Sequence, residues 1–496
     1  MNHKILLDVS FGALGYSGIP QDNRLMYSTF AQSRKIDVTG IFFEWGRATP
    51  SVLRKSDSRE VDRIGSSSLI LGNILVKDGI SLRLRGGPSH WLKLLFYLRH
   101  LMRNRSIMWN VPVDMLGDAV WRQLFSKTLT EEEHYLIREG MFVTGDFSLL
   151  HILDRTTIFG ALGPFKLKTD GYDFAIFHDS RRIQVSPNTK KIIRYHDAIP
   201  ITQPDTVEPS FTRLHLKALR YCAKDSFFVC NSEPVREDLV RLYPALEKRS
   251  AAIPYRIEQA NKQIGRKIPV VEIVQNRISF VTLGNAANGK TIDSVEGKVR
   301  ILAAEQEFPK FILAVSTLEP RKNFVGLIRA WERVLATCDS SLKLIIVGSP
   351  GWRFEETFAA MKPRVASGQL LHLVGVPLDE LQVLYRQAEC LVFPSFDEGY
   401  GFPPVEAMVQ GTPSVVSDIP VHRWVLEDAA TYANPYNIDD IADQIARMIY
   451  ADDSEHLRMD LCRRGQRILA KYDRQVIDDQ WCNLFDRLRA DGGAPK

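Results

Sequence analysis

The chain has 496 residues, 45% of them hydrophobic and 25% charged, with a formal net charge of +5. That length exceeds what one hydrophobic core serves, so two domains are expected, and the composition is globular rather than disordered. The slight positive balance leaves no electrostatic footprint for nucleic acid, and no apolar run reaches the roughly 18 residues that a membrane-spanning helix needs.

Cys222, Cys230, Cys338, Cys390, Cys462 and Cys482 lie scattered without CxxC spacing. Met1 leads directly into the strand-like Ile5–Val9, with no signal peptide before it. Reduced thiols in a cytoplasm are the expectation. Behind that first strand come Gly12, Gly15 and Gly18, then a helical run over Asn23–Gln32. Glycines between a first strand and first helix let backbone approach a ligand closely, although the spacing is not GxGxxG.

Residues 43–168 carry few motifs. The segment Leu82–Arg105 stands out, with Arg83, Arg85, Lys93, Arg99, Arg103 and Arg105 unopposed by acids and Trp91, Phe96 and Tyr97 among them. A basic helix of this kind can lie in an anionic membrane interface, or it can be a core helix with a snorkelling face. Two further strands are expected at Phe174–His178 and Ile192–His196, each ending on a histidine. The C-terminal ends of strands are where open α/β sheets bind ligands. His178 is read as structural. Phe227–Asn231 reads as a strand before a helix capped by Ser232, and Ile253–Tyr255 as the last strand of the first domain.

Arg256–Pro309 reads as a joining stretch. Within it Gly284–Thr291 fits the P-loop pattern GxxxxGK[ST], but the residues after it make a poor helix and no Mg-binding Asp follows at a suitable distance. Lys290 is therefore expected to stand outside the chemistry. From Phe311 the pattern becomes regular: strands at Phe311–Val315, Leu342–Gly348, Leu371–Val376 and Cys390–Pro394 alternate with helices at Phe324–Leu335 and Pro377–Ala388. Ser417–Val421 and Glu427–Ala430 are expected to close this doubly wound sheet. After Cys390–Pro394 comes a Gly-rich turn with Glu398, Gly399 and Gly401, then a helix over Val405–Gln410 stopped by Gly411. Strand, turn and helix N-terminus together make an anion site, flanked by Glu398 and Glu406.

The Glu-x7-Glu of EGYGFPPVEAM (Glu398–Met408), with EPRKN at Glu319–Asn323 and HDAIP at His196–Pro200, resembles the retaining family-4 glycosyltransferases, most of all mannosyltransferases of O-antigen and exopolysaccharide assembly. The resemblance implies an α/β GT-B fold, two Rossmann-like doubly wound domains facing across a cleft. It implies an acceptor domain over 1–255 with an atypical insert at 43–168, a linker over 256–309, a nucleotide-sugar domain over 310–470, and a C-terminal helix (471–496) crossing back. In that family the first Glu (here Glu398) contacts the donor sugar and the second (Glu406) the ribose. Amides of Gly399, Tyr400, Gly401 and Phe402 hold the diphosphate, helped by Lys322. Thr317 stands at the usual Arg position, which leaves Arg321 as its substitute. His196 would reach the sugar, the loop of Gly15 and Gly18 would line the cleft, and Gly348, Val374 and Val376 would face the nucleotide.

The donor implied is a nucleotide-sugar, GDP-mannose first and a UDP-sugar second. The acceptor is a glycan or lipid-linked glycan, met in the cytoplasm or peripherally on the inner face of the membrane. No DxD pair occurs, so no metal and no further cofactor is expected. The rival readings are a P-loop ATPase or switch, a GT-B epimerase or phosphorylase, and a non-catalytic sugar-nucleotide-binding module.

Overall fold

The computed structural model describes residues 2–15, 18–43, 59–73, 108–145, 164–207, 209–257, 268–278 and 308–490. Apolar runs bounded by turn residues form β1 (His3–Asp8), β2 (Ile36–Ile41), β3 (Met108–Asn110), β4 (Met141–Gly145), β5 (Phe165–Lys166), β6 (Phe174–Phe177), β7 (Ile183–Gln184), β8 (Lys190–Tyr195), β9 (Phe227–Cys230) and β10 (Ser250–Ala252). Eight of them make one sheet in the order β10-β9-β8-β6-β1-β2-β4-β3, while β5 and β7 pair apart. The ladder is parallel except where β3 runs against β4.

The second sheet holds β11 (Phe311–Val315), β12 (Lys343–Val347), β13 (Leu370–Leu373), β14 (Cys390–Phe393), β15 (Ser414–Ser417) and β16 (Thr431–Ala433), ordered β13-β12-β11-β14-β15-β16. All its pairings are parallel, and β14 and β15 are buried along their whole length, as helices on both faces require. Strand order reverses between β11 and β14 here, and between β1 and β6 in the first sheet. Those reversals are the places where open α/β sheets bind ligands.

The two sheets belong to two domains joined twice. The chain leaves the first through Ile253–Ile257 and returns through Tyr472, and the crossings are bonded, Ile257 N–H to Tyr472 carbonyl at 3.0 Å. The helix Arg474–Ala490 then buries Ile477, Trp481, Leu484 and Phe485 in the first domain's core. Trp481 meets Phe30 of the helix Ile19–Ala31 edge-on at 5.5 Å.

Several boundaries differ from the sequence reading. β10 ends at Ala252, not Tyr255: Ile253 still donates to Cys230, but Pro254 has no N–H to continue the ladder. The second sheet closes through Ser414–Ser417 and Thr431–Ala433, because Ser417–Val421 leads into the helix Pro420–Leu426 and Glu427, at φ 48°, breaks that helix into a turn. The joining stretch contains a helix, Val270–Arg277, docked on the second domain through an Ile278–Leu373 bridge and an Arg277–Glu380 ion pair at 2.7 Å. The Leu82–Arg105 segment and the Gly284–Thr291 pattern lie outside the described residues.

Candidate active site

Both strand-order reversals point at one junction. From the second domain, β11 leads into Pro320–Lys322 and β14 leads into the turn at Asp397–Gly401. There the Glu398 carboxylate, 6% exposed, lies between two cations, with Lys322 Nζ at 2.6 Å and Arg321 Nη1 at 2.7 Å. Arg321 also donates to the Asp397 carbonyl at 2.8 Å, so the two turns are tied together. Burial pushes the Glu398 carboxyl up, but the two cations outweigh it and hold the group at about 2. Arg321, in turn, has its charged form reinforced by Glu398 despite its own burial. Asp397 beside it is pushed up to about 6 by burial, although it accepts the Glu398 N–H at 2.8 Å.

Asn323 makes this corner possible. It adopts the left-handed conformation (φ 54°) and spends its amide on the Pro394 and Pro435 carbonyls at 3.1 and 2.8 Å. The helix at the turn begins at Phe402, earlier than Val405, with Pro403 and Pro404 in its first turn and Gly401 (φ 85°) before it. On that helix Glu406 accepts from Tyr385 Oη at 2.9 Å, and Gln21 of the first domain reaches it as well; burial raises its pKa.

The first domain meets this turn directly. A Cβ on Gly399 would collide with the His196 carbonyl, so the glycine is what allows the close approach. Gln203 donates to Asp397 at 3.2 Å, and Tyr255 packs on Tyr400 and Phe402 with ring centroids 4.4 and 4.8 Å away. His196 sits just past β8, buried, its Nδ1 2.6 Å from Tyr255 Oη. Burial, with Arg194 adding to it, lowers its pKa to about 3, so the ring is neutral at physiological pH.

The structure therefore brings Glu398, Arg321, Lys322, His196, Gly399, Tyr400, Gly401, Phe402 and Glu406 to one junction. Gly18 (φ 76°) precedes the helix that carries Gln21 toward Glu406, and the Gly15 carbonyl is held by Arg24 at 2.6 Å. Gly348, Val374 and Val376 lie at the ends of β12 and β13. The Gly348 carbonyl is bonded to His372 at 2.8 Å, and the Val374 N–H is taken by the Arg277 carbonyl at 3.0 Å.

Several residues at the junction escaped the sequence. Asp22 pairs with Arg194 at 3.2 Å, and His178, read as structural, stacks on His196 at 5.6 Å with neither ring nitrogen hydrogen-bonded to protein. Nothing local marks them, since Asp22 and Arg194 are 172 residues apart. His422, buried behind Gly401, bonds the Ser417 carbonyl at 3.0 Å and was likewise unmarked. Among the described residues Asp22, His178 and His196 could hold a metal by spacing, their ligand atoms lying within 4.8 Å of one another. Arg194 already supplies a positive charge against Asp22. A cavity of about 770 Å³ lies beside the crossings, lined by Pro254, Trp424, Tyr472 and Leu484, and takes in none of the Glu398, Arg321 and Lys322 cluster.

Residues 300–466 match the family described as "Glycosyl transferases group 1". The O-antigen chain mannosyltransferase B of Escherichia coli is 33% identical over 142 residues, covering 29% of this chain and 37% of that protein. The O-antigen chain mannosyltransferase RfbU of Salmonella typhimurium is 33% identical over 156 residues, covering 29% and 42%. The match thus spans about two fifths of the curated relatives' length. Among solved structures, sucrose-phosphate synthase from Thermosynechococcus elongatus superposes with a TM-score of 0.54 at 14% identity, covering 99% of this chain and 100% of that one.

Proposed function

The chain carries a glycosyl transferase group 1 domain over residues 300–466 within a GT-B fold, and on that premise we propose that it is a retaining glycosyltransferase of cell-surface polysaccharide synthesis. It moves a hexose from a nucleotide-sugar, GDP-mannose first and a UDP-sugar second, to a glycan or lipid-linked glycan. The observation that carries this reading is Glu398 held between Lys322 and Arg321 where the two domains meet.

The donor diphosphate lies against Lys322, Arg321 and the N–H groups opening the Phe402–Gln410 helix. Its negative charge takes over the cations and releases the Glu398 carboxylate toward the sugar. Glu406 accepts from the ribose hydroxyls, and His196 reaches the sugar from the first domain. As the glycosidic bond to phosphate breaks, charge grows on the diphosphate and the fixed cations stabilise it most at that moment. The sugar passes through an oxocarbenium-like state. The acceptor hydroxyl attacks from the face the diphosphate leaves and gives its proton to a phosphate oxygen, which retains the configuration.

For the acceptor side we read peripheral contact with an anionic membrane at the cytoplasmic face. No helix among the described residues is long and apolar enough to cross a membrane. The helix Pro209–Cys222, which follows the His196 loop, exposes Phe211, Leu214 and Leu216 beside Arg213 and Arg220, and its sequence contains no acid. Charge complementarity to anionic lipid headgroups favours that occupant.

The test is a screen of the purified chain against GDP-mannose, UDP-sugars and ATP, with and without EDTA, reading thermal shift, transfer and product anomer. Stabilisation by GDP-mannose and a retained anomer insensitive to EDTA are expected. Stabilisation by ATP alone would restore the P-loop reading, and donor binding without any transfer would leave a non-catalytic module.

A further inference from the structure

His196 has two ring nitrogens, and which one carries the proton decides whether it meets a ligand as donor or acceptor. The surrounding bonds settle this step by step. Asn231 Nδ2 lies 2.9 Å from the His196 carbonyl, which can only accept, so that atom is the amide NH2. Ser232 Oγ donates to Asn231 Oδ1 at 3.3 Å and fixes the amide from its other end. The same Asn231 NH2 donates to Tyr255 Oη at 2.8 Å. The Tyr255 hydroxyl proton then has one acceptor within reach among the described residues, His196 Nδ1 at 2.6 Å. A histidine whose Nδ1 accepts carries its proton on Nε2, and Nε2 makes no hydrogen bond with the protein.

We infer that Tyr255 is a positioning residue that holds His196 as its Nε2–H tautomer, so that the imidazole meets the sugar as a hydrogen-bond donor to a hydroxyl or ether oxygen. The inference rests on the reading of His196 as a sugar contact. It removes a general-base role from His196, because the lone pair of Nδ1 is already bonded to Tyr255.

The ring of Tyr255 is itself held from three directions. Phe402 stacks on it at 12° and Tyr400 lies 4.4 Å away, both on the ligand-facing turn of the second domain. Arg194 lies 4.8 Å over its face, anchored by Asp22 and by the Ile253 carbonyl at 2.6 Å. The neutral state of His196 follows from burial, with the nearby Arg194 charge adding to it. The tautomer is thereby linked to the domain contact: aromatic rings of the second domain pack on the side chain whose hydroxyl orients the histidine of the first.

The experiment is 15N NMR of the full chain labelled at histidine, with the His196 signals identified by their loss in His196→Gln. No substrate is needed, so a failure of the glycosyltransferase reading stays separate from a failure of this one. Protonated Nε2 and bare Nδ1 are expected in the wild type, and a mixture of tautomers in Tyr255→Phe. A wild-type His196 protonated at Nδ1 overturns the inference whether or not the variant folds. With GDP-mannose, Tyr255→Phe is expected to lower kcat about tenfold while KM moves less than about twofold, a loss of about 1.4 kcal/mol in the transition state. Unchanged kcat together with an unchanged tautomer would reduce Tyr255 to a packing residue.

Discussion

The two halves of the junction solve opposite electrostatic problems. The second domain gathers full charges, a carboxylate clamped by a guanidinium and an ammonium. The first domain gathers neutral groups, a buried histidine with Tyr255 and Asn231 around it, beside a second histidine and the Asp22–Arg194 pair. A charged cluster suits a ligand that brings charge and displaces one member. A neutral, fully oriented network suits the uncharged oxygens of a sugar, where direction matters more than strength.

The largest test breaks the charged half. Glu398→Gln takes the shared, buried carboxylate from the partly buried Lys322 and Arg321, leaving Arg321 paired only with Glu319 at 3.7 Å among the described residues, a change expected to cost about 3 kcal/mol near pH 7. The folded pKa of Glu398, about 2, lies below its ordinary 4.5. Its contribution is therefore complete above about 4.5 and lost as pH falls toward 2, so the Tm gap between wild type and variant should narrow below pH 4.5. A gap constant with pH would assign the loss to packing.

Lys322→Ala keeps the Glu398–Arg321 pair but removes a cation from the leaving group. Turnover should fall about 10²–10³-fold, with a smaller change in KM, as for other fixed donors to a developing anion. Steady-state kinetics at saturating donor decide it, and a pure KM effect would place Lys322 in ground-state binding. Glu406→Ala should weaken donor affinity roughly ten- to a hundredfold through lost charged hydrogen bonds, read by calorimetry. Equal affinity in a folded variant would remove the ribose role.

The smallest effect lies on the first domain's outer face. Reversing Arg213 and Arg220 to Glu should reduce sedimentation with anionic vesicles several-fold, since each basic side chain near such a surface contributes about 1 kcal/mol. Added salt should mimic the change. Equal sedimentation with neutral vesicles would make Arg213 and Arg220 incidental and overturn the preference for an anionic surface.

The same contrast explains what the sequence discloses. The charged half is made of contiguous stretches: Phe311–Val315 appears as a strand with the expected bounds, and the strand, turn and helix over Cys390–Gln410 are legible from apolar runs, glycines and prolines. Arg321 reads as a substitute for a missing partner and is found on the same carboxylate as Lys322. The neutral half is assembled by topology. Asn231 and Tyr255 come from the ends of different segments, and they meet His196 only because β8 and β9 are neighbours in the sheet. No spacing or periodicity records that. Ile253–Tyr255 illustrates the limit, since an apolar tripeptide read as strand is in fact the crossing that delivers Tyr255 to the site.

The crossing helix has a consequence for how the protein is made. His3 is hydrogen-bonded to Asp486, 483 residues later, and Phe30 packs on Trp481. Such separations raise contact order and delay cooperative closure. During synthesis the first domain leaves the ribosome early but lacks one wall until the whole second domain has followed it. The second domain, continuous from Phe311, can fold as soon as it emerges. Translation thus inverts the order suggested by numbering, and the amino-terminal domain is the last to finish.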